Sequence, residues 1–241
     1  MPVLWQQMWQ QMVTAASAFS ATNVDDIVIL TLLFSRRDSR LRPWQVVSGQ
    51  VLGFALLLLV SLAGFLGQGL LEPRWLALLG LLPVSMGVSQ LVQASDDDEQ
   101  AQASGSAIEF DMGTVIGRGG SLVGVAALTV ANGSDNIGVY MPMFSQSSAA
   151  ELGVTLVTFS LGIALWCVLA LRLSRAPGLA RVLQRHGERL VAPVLIGIGL
   201  LILWEGSILE QREPAVIAIA CLLVMAASLL HQLQGRTARI D

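Results

Sequence analysis

Asp25 and Asp26 stand side by side inside an apolar stretch, QMVTAASAFSATNVDDIVILTLLF, running from Gln11 to Phe34. A carboxylate at the centre of a membrane helix costs about 2.5–3.5 kcal/mol on insertion scales. Two adjacent ones, preceded by Thr22 and Asn23, call for a partner that offsets that cost. A second stretch, LTVANGSDNIGVYMPMF from Leu128 to Phe144, sets Asn132, Asp135 and Asn136 in similar surroundings. Carboxylate, amide and hydroxyl oxygens without a basic partner in the spans are the donor set of a cation site. Three close acids facing one divalent cation leave one negative charge over. At least one proton is therefore expected in the empty site near neutral pH. Metal ligands bind deprotonated, so cation binding releases protons, and protons are the expected coupling ion.

The spacing places these groups together. Positions i, i+3 and i+4 share one face of a helix. Thr22, Asp25 and Asp26 have that spacing, and so do Asn132, Asp135 and Asn136, with Thr129 one turn earlier. Gly and Asn weaken a helix interior, so Asn132-Gly133-Ser134 predicts a local break that frees backbone carbonyls. Pro142 is expected to end or kink the same span. The primary ligand candidates are Asp25, Asp26, Asp135, Asn23, Asn132 and Asn136. Thr22, Thr129, Ser134 and Met141 are secondary candidates for the substrate site. Met141 and Met143 are the nearby soft atoms, whereas oxygen donors suit harder ions. Helix–helix hydrogen bonding is the alternative use of such residues in a bundle.

The elements that position them are membrane spans. The chain has 241 residues, 54% hydrophobic and 13% charged, against about 25% charge in soluble domains. That composition predicts an integral, all-α membrane protein. Apolar runs fall at about Gln11–Phe34, Trp44–Leu70, Trp75–Val92, Ser121–Phe144, Leu152–Leu171, Leu190–Ile208 and Ala215–Leu233. About 20 residues match a hydrocarbon core of about 30 Å. Trp5 and Trp9 suit an interfacial belt. Cys167 and Cys221 lie in apolar runs and read as buried small residues without metal spacing. His186 reads as a solvated loop residue. The first charged residue is Asp25, so no signal peptide is expected. All 14 basic residues are Arg and form no basic stripe, so no nucleic-acid partner is expected.

An internal repeat sets the layout. Subtracting 110 places Asn132 on Thr22, Asp135 on Asp25 and Asn136 on Asp26. The same offset relates Pro193 to Pro83 and Gly197 to Gly87. LGIALWCV from Leu161 follows LGFALLLL from Leu52 at an offset of 109. Three spans per half is an odd number, so the second half is expected to enter the membrane upside down, with the site at the midplane. The expected layout is a first three-helix repeat over 1–94, an acidic linker over 95–120 holding Asp96–Glu99, Glu109 and Asp111, an inverted second repeat over 121–210, and an extra C-terminal transmembrane helix and tail over 211–241. Arg36, Arg37, Arg40 and Arg42 follow the first span, and Arg172 to Arg189 are expected to form a basic loop after the fifth. The positive-inside rule makes both cytoplasmic, with the N-terminus outside and the C-terminus inside.

TNVDDIVIL and ANGSDNIGVYMPMF resemble the two signature stretches of the cadmium-resistance transporter family, of the lysine-exporter (LysE-type) superfamily. The resemblance runs from about Met12 to Glu210. It implies a secondary transporter of a bacterial inner membrane that exports Cd²⁺ or a similar divalent ion. The seventh run exceeds the six-span superfamily core, and neither cysteine lies in the signature stretches. No nucleotide-binding motif is present. Export of a small cationic solute such as an amino acid, or a non-transporting membrane subunit, stays open as an alternative. Asp25 and Asp135 could in principle form an aspartyl dyad, but the Gly-x-Gly-Asp signature of presenilin-type proteases is absent, and an enzyme is not expected.

Overall fold

Both polar stretches interrupt the helices that carry them. The computed structural model describes residues 2–35, 42–70, 72–94, 122–175, 177–206 and 212–237. Among them the fold is helical, with no strand. The first span is two helices, α1 (Pro2–Thr22) and α2 (Val24–Ser35), bent by 57° at Asn23. The continuous span expected from Gln11 to Phe34 is therefore corrected to a broken one that begins nearer the N-terminus. The cause is local: the Asn23 side-chain amide donates to the Phe19 carbonyl at 2.8 Å, beside the backbone N–H of the same residue at 3.1 Å. Short polar side chains compete with the helical ladder in this way. The carbonyl of Asn23 accepts instead from the Trp166 indole N–H at 2.7 Å.

The second polar stretch breaks as its sequence predicts. Helix α6 (Leu122–Asn132) stops before Gly133, a 3₁₀ turn covers Ser134–Asn136, and α7 (Ile137–Ser145) resumes. Pro142 lies inside α7, three residues from its end. A Cβ on Gly133 would stand 2.7 Å from Leu57 Cδ1 and 3.1 Å from Asn136 Nδ2, so close approach requires glycine there. Asn23 and Gly133 are themselves 110 positions apart.

Between these breaks run α3 (Pro43–Gly67), α4 (Pro73–Ala77), a 3₁₀ turn over Leu78–Gly80 and α5 (Leu81–Ala94). After them come α8 (Ala149–Leu173), α9 (Pro177–Glu205) and α10 (Arg212–Thr237). Helix α8 opens with a capping box: Ser148 Oγ accepts from Glu151 N at 3.3 Å, and Glu151 Oε2 accepts from Ser148 N at 2.8 Å. Only α3 and α8 are long and apolar enough to cross a membrane as single described helices, and the bent α1–α2 pair passes the same test when its two helices are taken together. The third expected span is a shorter apolar helix over Trp75–Leu91, with a 3₁₀ turn at Leu78–Gly80, and the fourth is divided by its 3₁₀ turn at Ser134–Asn136. The basic loop expected over Arg172–Arg189 is also corrected: α9 already starts at Pro177, where proline's fixed φ suits a first helical position. Residues 36–41 and the acidic segment 95–120 lie outside the described residues.

Packing is exchanged between the halves. Helix α3 lies along α6 and α7, α8 lies along α1 and α2, and α5 packs on α9. Glycines allow the approach, as in membrane bundles generally. A Cβ on Gly80 would meet the Gly199 carbonyl at 2.8 Å, and one on Gly199 would meet the Gly80 carbonyl at 2.5 Å. The core is aromatic: Phe19, Phe54, Tyr140, Phe144 and Phe159 are all buried, with Tyr140 and Phe159 centroids 4.7 Å apart. Helix α10 packs on α5 through Ala215 and Ala218 and leaves most of its described apolar surface outward. Cys221 is on that exposed surface, so the expectation of two buried cysteines holds for Cys167 alone.

Candidate functional site

The two helix breaks face each other, and the hydrogen bonds between them join the halves. Asp26 is buried. Its Oδ1 accepts from Asn132 Nδ2 at 2.7 Å, and its Oδ2 accepts from Gln50 Nε2 at 2.9 Å. The same Asn132 amide reaches Asp25 Oδ2 at 3.3 Å. Gln50, in α3, takes a hydrogen bond at Oε1 from the Thr129 hydroxyl at 2.7 Å. One continuous polar chain thus runs from Thr129 through Gln50, Asp26 and Asn132 to Asp25.

A second set closes the first break. The Thr22 and Tyr140 hydroxyls are 2.6 Å apart, and Asn23 Nδ2 donates to Tyr140 Oη at 2.8 Å. Asn23 is fully buried, and its Oδ1 has no hydrogen-bond partner. An unpaired buried amide oxygen is costly, and it is a hard donor that a cation can use.

The remaining candidates sit differently. Asp135 is exposed at the second break, yet near enough for its charge to be felt by both Asp25 and Asp26. Asn136 is buried behind Gly133. Ser134 is exposed and turns its hydroxyl to the Ala131 carbonyl at 3.2 Å. Met141 is half-buried, with its backbone pressed against Gly64 of α3. Neither Ser134 nor Met141 joins the carboxylate–amide chain. Among the described residues, no three His, Cys, Asp or Glu side chains are gathered closely enough to hold a metal ion. Here Asn132, rather than a third acid, bridges Asp25 and Asp26.

Sequence reasoning missed Gln50, Tyr140 and Trp166. Gln50 carried a signal: it is an amide near the start of an apolar span, set between Gly49 and Gly53. Tyr140 is the single tyrosine of the chain and lies within a stretch already singled out. Nothing in its spacing announces that Trp166 would reach the Asn23 carbonyl.

Chemically, the arrangement offers two adjacent carboxylates, a third within electrostatic range, and amide and hydroxyl oxygens from both halves. Arg or Lys has no place in the hydrogen-bonded chain. A second polar feature is a cavity of about 290 Å³ lined by Gln11, Gln146, Glu151 and Glu205, with Met143 among its apolar walls. The family model described as cadmium resistance transporter matches residues 19–212. No curated protein and no solved structure matches the chain.

Proposed function

Because the chain belongs to the cadmium resistance transporter family, we propose that it exports Cd²⁺ or a similar divalent cation across a bacterial inner membrane in exchange for protons. The observation that carries this reading is the Asp25–Asn132–Asp26 bridge across the two helix breaks. Discontinuous helices meeting at a polar centre are how many secondary transporters build an ion site.

In this reading the cation displaces the Asn132 N–H from the two carboxylates, and the amide turns to present its oxygen. Asp25 and Asp26 supply the charge from where they stand, Asp135 joins them through a movement of the second break, and Asn23, Asn132 and Asn136 supply neutral oxygens. Asn23 Oδ1, buried without a partner, supports its inclusion. Thr22 and Thr129 steady the surrounding groups. Ser134 and Met141 require a rearrangement of the second break to take part.

The halves are read as inverted three-span repeats over 1–94 and 121–210. The exchanged packing of α3 and α8 and the 110-residue separation of the breaks support a twofold relation. Helix α10 is the seventh span. The N-terminus is placed outside, and the arginine-rich ends of α8 and α9 are placed in the cytoplasm.

Everted membrane vesicles test the activity. An acid-inside gradient is expected to drive cadmium into vesicles that contain the protein, and a protonophore to stop it. Equal accumulation in vesicles lacking the protein overturns the transport reading. Accumulation indifferent to the protonophore overturns proton coupling.

A further inference from the structure

We propose that Gln50 is a positioning residue for the transported cation: it fixes the orientation of Asp26 and ties that orientation to the second half through Thr129. This deepens the ion-site reading above and rests on it. Three observations carry the proposal.

The first is the packing that puts Gln50 where it is. Gly49 and Gly53 form a small-xxx-small pair on α3, a pattern that lets membrane helices approach closely. A Cβ on Gly49 would stand 2.5 Å from Val125 Cβ and 2.7 Å from the Leu122 carbonyl. One on Gly53 would stand 2.6 Å from Thr129 Cβ and 2.7 Å from the Ala126 carbonyl. The helix crossing of α3 and α6 is therefore fixed at the turn that holds Gln50 and Thr129.

The second is the use of both ends of the amide. Gln50 is 3% exposed. Nε2 donates to Asp26 Oδ2 and Oε1 accepts from Thr129. An ionised Asp26 only accepts, so it takes the Nε2 end and holds Oε1 toward the Thr129 hydroxyl, which also lies 3.0 Å from the Val125 carbonyl; Asp26 Oδ2 is thereby held by a neutral donor. Oδ1 is bound by Asn132, the partner that a cation would displace. Gln50 can stay in place through that exchange and leave Asp26 to bind through one oxygen. Partners of this kind orient metal-binding carboxylates, and losing them typically costs 10- to 100-fold in affinity.

The third is asymmetry. At the offset of 109 that relates α8 to α3, Phe159 takes the place of Gln50, and it packs on Tyr140 in the aromatic core. One half therefore keeps an amide where the other keeps a ring. Helix packing shared by both halves does not account for it.

The test is cadmium transport by the full chain in everted vesicles, with the variants Gln50→Met and Thr129→Val, each near-isosteric. Gln50→Met is expected to raise KM about tenfold with little change in maximal rate, and to lower the melting temperature modestly because it leaves the buried Asp26 Oδ2 without its donor. Thr129→Val is expected to raise it about threefold, and to add nothing in the Gln50→Met background. An unchanged KM in Gln50→Met overturns the proposal. So does a loss of maximal rate and melting temperature without a KM effect, or losses that multiply in the double variant. If Gln50→Met does not accumulate in the membrane, an unchanged KM in Thr129→Val overturns the relay and a raised one supports it. Asp26→Asn separates the two readings: full transport by that variant overturns the ion site itself. Its failure alongside a normal Gln50→Met overturns the role of Gln50 alone.

Discussion

The hydroxyl of Thr22, the last residue of α1, lies 2.6 Å from the hydroxyl of Tyr140 in α7. One hydrogen bond thus ties the break of the first half to the helix that follows the break of the second. Asn23 Nδ2 shares the same phenolic oxygen at 2.8 Å. Removing that oxygen by Tyr140→Phe keeps the ring in its aromatic cluster. It leaves Thr22 with the Ala18 carbonyl and Asn23 with the Phe19 carbonyl. The expected cost is about 1 kcal/mol of stability, seen as a lower melting temperature in detergent, together with weaker cadmium resistance. An unchanged melting temperature and full resistance would show that the tether does not matter.

Carboxylate charge is the second target. Asp26→Asn and Asp135→Asn keep side-chain shape and each remove one negative charge. Both are expected to abolish resistance at normal expression. Asp26 matters more for folding, because it is buried and accepts from two amides, whereas Asp135 is exposed. Cells expressing Asp135→Asn that grow normally on cadmium would exclude that residue as a ligand.

Backbone contact at the second break gives a stability prediction with an internal control. A Cβ at Gly133 would meet Leu57 at 2.7 Å, whereas nothing lies within 4 Å of one at Gly153. Gly133→Ala is therefore expected to destabilise by about 1–3 kcal/mol, the usual cost of overpacking. Gly153→Ala, on α8, is expected to be neutral or to stabilise by up to about 1 kcal/mol through helix propensity. Thermal melting of the two variants side by side checks the difference in sign.

Proton exchange predicts the direction of the pH effect. Protons and the cation compete for the same carboxylates, so apparent affinity for cadmium should rise as pH rises. The bound cation should release protons, since the ligands bind deprotonated. Calorimetry in two buffers of different ionisation enthalpy counts the protons released. A count of zero across pH 6–8 refutes exchange at this site.

That Asp25, Asp26 and Asn132 come together was legible from residue types alone. Asp25, Asp26 and Asn132 are expensive in an apolar run, so their presence already demanded a shared polar centre. The break at Gly133 was legible too, because glycine beside asparagine weakens a helix. The break at Asn23 was not. Its residues have ordinary helical spacing, and the cause is a side chain competing for the Phe19 carbonyl while Trp166, 143 positions away, takes the freed one. Gln50 escaped for a similar reason: its partners, Asp26 and Thr129, lie 24 and 79 positions off. The long apolar helices α3 and α8 were readable as spans from composition. The early start of α9 was not, because hydropathy tracks the membrane and not the helix, which begins in the arginine-rich stretch.

The indole of Trp166 has one further consequence. Its N–H donates at 2.7 Å to the carbonyl at the 57° bend between α1 and α2. Indole emission shifts in wavelength with the polarity and hydrogen bonding around that nitrogen. A chain whose other five tryptophans are replaced by phenylalanine would therefore carry an optical gauge at this bend, without any attached dye. If the bend opens when cadmium binds, the emission will move when cadmium is mixed in, and stopped-flow fluorescence would time that movement.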